Sequence, residues 1–274
     1  KTGMYRPAIF TAVDDDSVGD TMSGVSGSGY TGTISSSGYA NPALYAQSAM
    51  RFTGLRFLYA QTAIRVFGNS YPTWTASHSQ FVNCLVGIDL QAGAGGSGRG
   101  GSGSGVNSLN LYNCLFSKVG KPILSTDIGG AVVQNVNAYN ATVDQASQLV
   151  SFSGSGISFN LLAKNSIFAN ISGGVGSGVS ASGANNAFYS AGSAFGSPGY
   201  APPSSPFQSA GAGKDYLNSA SGLQDLGTTN GLPATLCSDL PERTTYPPTI
   251  VTANTTITTS LALVPQVQRN TDTH

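Results

Sequence analysis

Four aspartates lie within seven residues near the start of the chain, and they stand out because the whole chain has only 12 acidic residues. Calcium prefers clustered carboxylate and carbonyl oxygens, so one interpretation is a calcium site. The cluster lacks the ligand spacing of an EF-hand, and the alternative is a solvated turn whose side chains accept hydrogen bonds from backbone amides. Calcium is the sole candidate cofactor. The four residues are Asp14, Asp15, Asp16 and Asp20.

Two aromatic residues form a second candidate site, for a sugar ring. Trp74 is the single tryptophan of the chain, and Tyr71 precedes it in a turn-like segment. If both rings are exposed, they can stack on a glycan, together with Tyr39 and Tyr45. The alternative, which we favour for Trp74, is that the indole packs over the edge of the core.

The charged residues inside the body of the chain are scattered and do not suggest a catalytic centre. The paired acids of a hydrolase would alternate on one strand, and the sequence contains no such pair there. His78 lies in a polar turn, where we expect a surface histidine. No catalytic residue is therefore assigned. The scattered charges are Arg56, Arg65, Asp89, Lys118, Lys121, Asp127, Asp144 and Lys164.

Charge is sparse throughout, at 9% of residues with a formal net charge of zero. This argues against nucleic acid as a partner, since nucleic acid requires a basic face. It also provides no basic patch for anionic lipids. No apolar run approaches the length of about 18 residues that spans a membrane. We therefore expect neither nucleic-acid binding nor membrane insertion.

Residues 55–189 repeat one short pattern that reads apolar, variable, Asn, small, apolar. The small positions, from Ala60 to Ala187, are spaced by 24, 30, 24, 28 and 21 residues. A repeat of this period indicates a solenoid, in which each unit buries its apolar face by stacking on its neighbours. Apolar residues that alternate over short runs, with Gly, Asn and Ser between the runs, predict β-strands.

The recurring asparagines are expected to stack in one ladder at a corner of the solenoid, because Asn tolerates left-handed backbone and bonds its own backbone in turns. Cys84 and Cys114 follow two of them, so we expect these thiols to be buried and stacked at the same position of adjacent repeats. A disulfide between them is the alternative, which stacking at the strand spacing of about 4.8 Å disfavours. The ladder residues are Asn83, Asn113, Asn137 and Asn165.

The sequence thus predicts an all-β protein, a single-stranded parallel β-helix in three parts. Residues 1–50 form an N-terminal cap with a Gly/Ser loop, residues 51–195 form the rungs, and residues 196–274 form a linker and a Pro/Thr-rich C-terminal cap or tail that packs on the solenoid. Caps are expected because an open final rung exposes strand edges. A short helical turn is expected within residues 232–240. Because the chain begins at Lys1 rather than Met, we expect a piece processed from a longer polypeptide.

The repeated Asn-small-apolar rungs resemble the right-handed parallel β-helix proteins of the pectin-lyase-like group. Residues 213–217, 227–229, 244–248 and 268–272 resemble the tail segments of large secreted bacterial proteins of planctomycete and verrucomicrobial type. The resemblance implies a right-handed solenoid and an extracellular or cell-surface location. Enzymes of this group cleave acidic polysaccharides: the lyases use an Arg or Lys base, often helped by calcium, and the hydrolases use clustered Asp residues.

The sequence is compatible with three functions. The first, which we favour, is a non-catalytic structural or adhesive module of a bacterial surface protein that associates with copies of itself into fibres or with flanking parts of a longer polypeptide. Sparse charge and the abundance of Gly and Ser favour it. The second is a glycan-binding module that uses Trp74 and Tyr71 to bind a polysaccharide. The third is a polysaccharide lyase or hydrolase.

Overall fold

The computed structural model describes residues 7–15, 39–68, 72–92, 105–127, 132–153, 157–210 and 213–240. The chain forms two compact units, residues 1–201 and residues 202–274. In chain order the strands of the first unit are β1 (Ala8–Phe10), β2 (Leu44–Ala46), β3 (Arg51–Thr53), β4 (Leu55–Leu58), β5 (Thr62–Gly68), β6 (Thr73–Ser77), β7 (Gln80–Val82), β8 (Val86–Ala92), β9 (Gly105–Tyr112), β10 (Leu115–Ser117), β11 (Lys121–Asp127), β12 (Val132–Tyr139), β13 (Thr142–Ala146), β14 (Val150–Ser153), β15 (Ile157–Lys164), β16 (Ile167–Ile171), β17 (Val179–Ala184), β18 (Asn186–Tyr189) and β19 (Gly199–Tyr200).

These strands build three parallel sheets. The first sheet has the order β1-β4-β7-β10-β13-β16-β18-β19, the second β2-β5-β8-β11-β14, and the third β3-β6-β9-β12-β15-β17. From β1 to β16 the chain visits the three sheets in turn, so each circuit adds one rung; after β16 it passes to the third sheet with β17 and returns to the first with β18 and β19. Four hydrogen-bonded pairs of side chains join successive rungs, and their members are 24, 35, 27 and 25 residues apart in sequence. The pairs are Thr53–Ser77, His78–Asn113, Asn110–Asn137 and Asn135–Asn160. The unit is a parallel β-solenoid, which confirms the predicted all-β class with parallel stacking.

Phenylalanines fill the inner side of the first sheet. Parallel pairing in register stacks each ring on the equivalent ring of the next rung, with centroid distances of 4.8 Å for Phe10–Phe57, 5.5 Å for Phe57–Phe81 and 4.6 Å for Phe81–Phe116. A stacked aromatic pair contributes about 0.5–1.5 kcal/mol beyond its buried area. This column therefore helps to fix the register between rungs.

Val143 interrupts the column of rings. It lies in register between Phe116 and Phe168. Ring stacking resumes with Phe168 and Phe188, whose centroids are 5.5 Å apart. Because a valine side chain does not fill the space of a ring, a small apolar cavity of about 20 Å³ lies beside it, lined in part by the phenylalanines above and below.

The second unit contains a two-stranded antiparallel hairpin, β20 (Phe207–Ala210) and β21 (Gly213–Leu217), in which Phe207 pairs with Leu217. A 3-10 turn at Ser219–Ser221 and one short helix, α1 (Ala234–Asp239), follow. The helix lies within the segment expected to form a helical turn. No helix in the described part of the chain is long and apolar enough to cross a membrane. Most of the predicted N-terminal cap loop and C-terminal tail, residues 16–38 and 241–274, lies outside the described residues.

Filling the cavity beside Val143 should stabilise the solenoid. Val143→Leu is expected to raise the free energy of unfolding by about 0.5–2 kcal/mol, as cavity-filling changes commonly do. Val143→Ala enlarges the cavity and should lower the free energy of unfolding by about 1–3 kcal/mol. Urea unfolding followed by Trp74 fluorescence measures both changes. Thr142→Ser, at the neighbouring outward position, is the control and should stay within about 0.5 kcal/mol. A lower free energy of unfolding for Val143→Leu would show that the space beside Val143 cannot hold a larger side chain.

Candidate functional site

Part of the aspartate cluster lies within the described residues. Asp15 is only 4% exposed, and its Oδ2 accepts a hydrogen bond from Thr11 Oγ1 while its backbone N–H donates to the Ala12 carbonyl at 3.1 Å. Asp15 is thus held in a local turn. The described part of the chain contains no group of three or more His, Cys, Asp or Glu side chains that could hold a metal. Asp16 and Asp20 lie outside the described residues, so the calcium site stays a prediction.

The structure places Trp74 in the core. Its side chain is fully buried on β6, its indole Nε1 donates to the Ser48 carbonyl at 2.9 Å, and it lies in register with Leu109 on the next rung. No face of the indole is open to a sugar, which corrects its assignment as a glycan-stacking residue. The physical reason is that a large ring at an inward position of a strand is covered by the rungs on both sides. Tyr71 lies outside the described residues, and its role stays a prediction.

Two corners of the solenoid carry one residue per rung in the left-handed backbone conformation. The first corner follows the strands of the third sheet, and φ there is between 51° and 63°. This conformation costs most L-residues about 1–2 kcal/mol, but Gly and Asn adopt it more readily. Asparagine therefore recurs at this corner for a backbone reason. The first-corner residues are Gly54, His78, Asn113, Asn140, Asn165 and Asn185.

The second corner lies at the ends of the strands of the first sheet, and φ there is between 49° and 60°. Backbone hydrogen bonds join it to the next rung: the Asn83 N–H donates to the Ser117 carbonyl at 3.0 Å, and the Lys118 N–H donates to the Asp144 carbonyl at 2.8 Å. Its side chains are more varied than those of the first corner. The second-corner residues are Tyr59, Asn83, Lys118, Gln145, Asn170 and Ser190.

The expected single asparagine ladder is divided between these corners. Asn113 and Asn165 lie at the first corner and Asn83 lies at the second. Asn137 lies inside β12, and the corner residue of that rung is Asn140. The error arose because an asparagine followed by a small residue occurs at both corners. Comparing copies of that pattern along the chain therefore aligned different corners of the solenoid.

Cys84 and Cys114 follow residues of different corners, so they do not stack on each other as expected. Both are free and buried, whereas the third free thiol, Cys237, is partly exposed. Burial raises the pKa of Cys84 and of Cys114 from an ordinary value of 9.0 to about 12, and hydrogen bonds with the backbone oppose this rise only in part. The two thiols are protonated packing groups at neutral pH.

An ion pair lies on the outer side of the second sheet. Asp89 on β8 is only 2% exposed, and its Oδ2 accepts hydrogen bonds from Arg65 Nε at 2.8 Å and from Gln91 Nε2 at 3.2 Å. Its Oδ1 accepts one from Thr126 Oγ1 at 3.3 Å. Arg65 Nη2 also donates to Asn41 Oδ1 at 2.9 Å. The carboxylate thus orients the guanidinium and links β5, β8 and β11.

A second carboxylate is engaged in a similar way on the first sheet. Asp144 on β13 is 5% exposed, and it accepts hydrogen bonds from Asn170 Nδ2 at 2.7 Å and from Gln145 Nε2 at 3.1 Å. In the sequence, Asp89 and Asp144 stand among scattered charges. The overlooked signal was spacing: Arg65 precedes Asp89 by 24 residues and Asn170 follows Asp144 by 26, which is one repeat in each case.

The outer side of the third sheet, which we call the polar face, carries no carboxylate among the described residues. On β9, β12 and β15 outward side chains alternate with buried ones, whereas on β6 the outward Thr75 and Ser77 are buried as well. Parallel register aligns the outward side chains in rows. Most of them are hydroxyls and amides, so this side of the sheet is largely uncharged. Its residues are Arg51, Thr53, Thr73, Thr75, Ser77, Val106, Ser108, Asn110, Tyr112, Val133, Asn135, Asn137, Tyr139, Ser158, Asn160, Leu162, Lys164, Ser180, Ser182 and Ala184.

Two tyrosines are neighbours on the polar face. The ring centroids of Tyr112 and Tyr139 are 5.8 Å apart, and the ring planes are inclined by 50°. Partial burial raises the pKa of both phenols; Tyr139 raises that of Tyr112 further, and the positive charge of Arg51 lowers it. Lys164 lies in register with Tyr139 on the other side. The tyrosines therefore lie between two cations.

Comparison with known proteins does not identify a family. No family model, no curated protein and no solved structure matches the chain significantly. The function therefore has to follow from the surfaces and contacts of this chain itself.

Valine substitutions test whether asparagines at the first corner and asparagines inside strands have different structural roles. Asn113→Val should lower the free energy of unfolding by about 1–2 kcal/mol, because a β-branched residue is strained in left-handed backbone. Asn113→Gly should cost less. Asn137→Val is the matched control: each valine variant removes one side-chain hydrogen bond, to Asn110 or to His78, but valine suits a strand, so Asn137→Val should cost less than Asn113→Val. Urea unfolding gives all three values. Equal losses in the two valine variants would contradict the division of the asparagines between corner and strand.

The two buried thiols should destabilise the protein at high pH. Between pH 9 and about pH 12 an unfolded Cys84 or Cys114 loses its proton while the folded thiol keeps it. Each thiol should therefore lower the free energy of unfolding by about 1 kcal/mol per pH unit in this window, with no loss below it.

The double variant Cys84→Ala/Cys114→Ala tests this contribution. Alanine already occupies the equivalent positions, Ala60 and Ala141, on neighbouring rungs, so the variant should fold. Its free energy of unfolding, measured in urea between about pH 8 and pH 11, should fall less steeply than that of the unaltered protein. The remaining fall reflects the phenols of the partly buried tyrosines. Cys237→Ala controls for the loss of a thiol as such. An unchanged slope in the double variant would show that these thiols do not control alkaline stability.

Proposed function

We propose that the chain is a non-catalytic structural or adhesive module of a bacterial surface protein, built on a right-handed β-helix of the pectin-lyase-like type. Its partners are flanking parts of a longer polypeptide or further copies of itself, outside the cell or at its surface. The resemblance of the repeats and of the tail segments supports the bacterial source, the extracellular location and the handedness.

The use of the buried carboxylates is the observation that carries this proposal. Asp89 and Asp144 each accept hydrogen bonds from side chains of a neighbouring rung, so both hold the solenoid together. A lyase or hydrolase needs an acid or base directed at its substrate. The described charges support a scaffold better than such a centre.

Glycan binding is the second candidate function, and the tyrosine pair on the polar face favours it. Tyr112 and Tyr139 are partly exposed and lie among amides and hydroxyls, on a face whose charges are the flanking Arg51 and Lys164. Aromatic rings beside neutral hydrogen-bonding groups suit sugar rings. This candidate no longer involves Trp74.

Self-association is tested by negative-stain imaging and light scattering on the full chain, with and without the chelator EGTA. We expect filaments or particles much larger than one chain. If calcium at the aspartate cluster joins the copies, EGTA should disperse them, and Asp14→Asn/Asp16→Asn/Asp20→Asn should no longer respond to EGTA. Particles of single-chain mass under every condition would rule out fibre formation. Release of reducing or unsaturated sugars from polygalacturonate, absent from a heat-denatured control, would overturn the non-catalytic assignment.

A further inference from the structure

Two asparagines and two tyrosines form a compact quartet on the polar face. Asn110 and Tyr112 lie on β9, and their register partners on β12 are Asn137 and Tyr139. All four side chains are partly exposed, while the residues between them are buried. Because the two strands are adjacent and parallel, the quartet repeats the same pair of side chains at one strand spacing, about 4.8 Å.

The amides of the quartet are oriented by each other. Asn137 Nδ2 donates to Asn110 Oδ1 at 2.9 Å. The Nδ2 of Asn110 and the Oδ1 of Asn137 have no hydrogen-bond partner among the residues that the structure describes. One donor and one acceptor are therefore held at a fixed spacing beside the tyrosines, an arrangement that matches a pair of sugar hydroxyls.

The tyrosine rings supply the apolar part of such a site. Their centroids are 5.8 Å apart and their planes are inclined by 50°, so they form a shallow ledge and not a flat stack. A pyranose ring presents C–H groups on its face and hydroxyls around its edge. It can pack on an aromatic ring while its hydroxyls bond to neighbouring amides or to the phenol.

Charge on the polar face disfavours two other occupants. Arg51 on β3 lies in the register row of Asn110 and Asn137, and Lys164 on β15 lies in the row of the tyrosines; the two strands are four spacings apart, with β9 and β12 between them. A second copy facing this surface, in either direction along the solenoid, would bring cations against cations. An acidic polysaccharide is attracted to Arg51 and Lys164, but the quartet between them holds no cation that could pair with the carboxylates of the sugar rings lying over it.

We propose that the quartet Asn110, Tyr112, Asn137 and Tyr139 binds an uncharged polysaccharide that runs along the solenoid axis across β9 and β12. This inference rests on the proposed function, because it names what an adhesive module of this kind would adhere to. Successive sugar rings contact the two tyrosines in turn, and the oriented amide pair bonds to their hydroxyls.

Affinity gel electrophoresis of the full chain tests the site with four neutral polysaccharides: hydroxyethyl cellulose, laminarin, xylan and galactomannan. Polygalacturonate is the acidic comparison. We expect at least one neutral polymer to retard the protein, with little effect of added salt. Tyr112→Ala/Tyr139→Ala should weaken the affinity at least tenfold, and Asn110→Thr/Asn137→Thr should weaken it less. Threonine is compatible with this row because Thr75 occupies it on β6.

Tyr45→Ala is the matched control. Tyr45 is 49% exposed, but it lies on the second sheet, so its loss should leave the retardation unchanged. Circular dichroism and urea unfolding check that every variant is folded. No retardation by any neutral polymer, retardation by polygalacturonate alone, or an equal loss in Tyr45→Ala would overturn the inference. Light scattering on the same samples distinguishes failure of the glycan site from failure of self-association. Assemblies that form without binding any glycan would rule out the glycan site alone. Glycan binding by protein of single-chain mass would rule out fibre formation alone.

Discussion

Parallel backbone pairing in register between successive rungs is the constraint on which the rest of the solenoid depends. Each residue lies directly over its equivalent on the next strand, so similar side chains at equivalent positions stack on one another from rung to rung. The phenylalanine column, the paired asparagines and the paired tyrosines all arise in this way. The same constraint makes a mismatch local: where Val143 replaces a ring, the neighbouring rungs cannot move in to fill the space, because backbone hydrogen bonds hold them at the strand spacing.

The corners meet a separate demand, which is to turn the chain without losing backbone hydrogen bonds. One left-handed residue per rung does this at each of two corners, and its N–H still bonds to the next rung, as Asn113 does to the Tyr139 carbonyl at 2.9 Å. At the first corner, where Gly and Asn predominate, the residue type is therefore selected by backbone conformation. A recurring asparagine there is no sign of a ligand set, and its side chain is free to add contacts such as that between Asn113 and His78.

The outward side chains differ from one sheet of the solenoid to the next. The second sheet holds a nearly buried carboxylate, Asp89, that ties its own strand to two others through Arg65 and Thr126. The third sheet holds neutral amides, hydroxyls and two tyrosines between Arg51 and Lys164. A rigid solenoid keeps such side chains at fixed spacing at no further entropic cost, which is what a surface that adheres to an extended polymer requires.

Strand content, parallel stacking and the presence of a repeat were determined by the sequence itself, because alternation is a property of neighbouring residues and a recurring pattern is visible without knowing its exact alignment. The exact repeat length was not, since the equivalent of Asn113 on the preceding rung is His78, 35 residues earlier. Only the tertiary structure decided which corner Asn83 or Asn113 occupies, that Trp74 faces inward, that Arg65 meets Asp89 and that Tyr112 meets Tyr139. Each of these depends on register between strands more than 20 residues apart. A shift of one residue moves every side chain of a strand to the opposite face. The short repeated pattern does not specify that register, since it occurs at the second corner with Asn83 and at the first corner with Asn113.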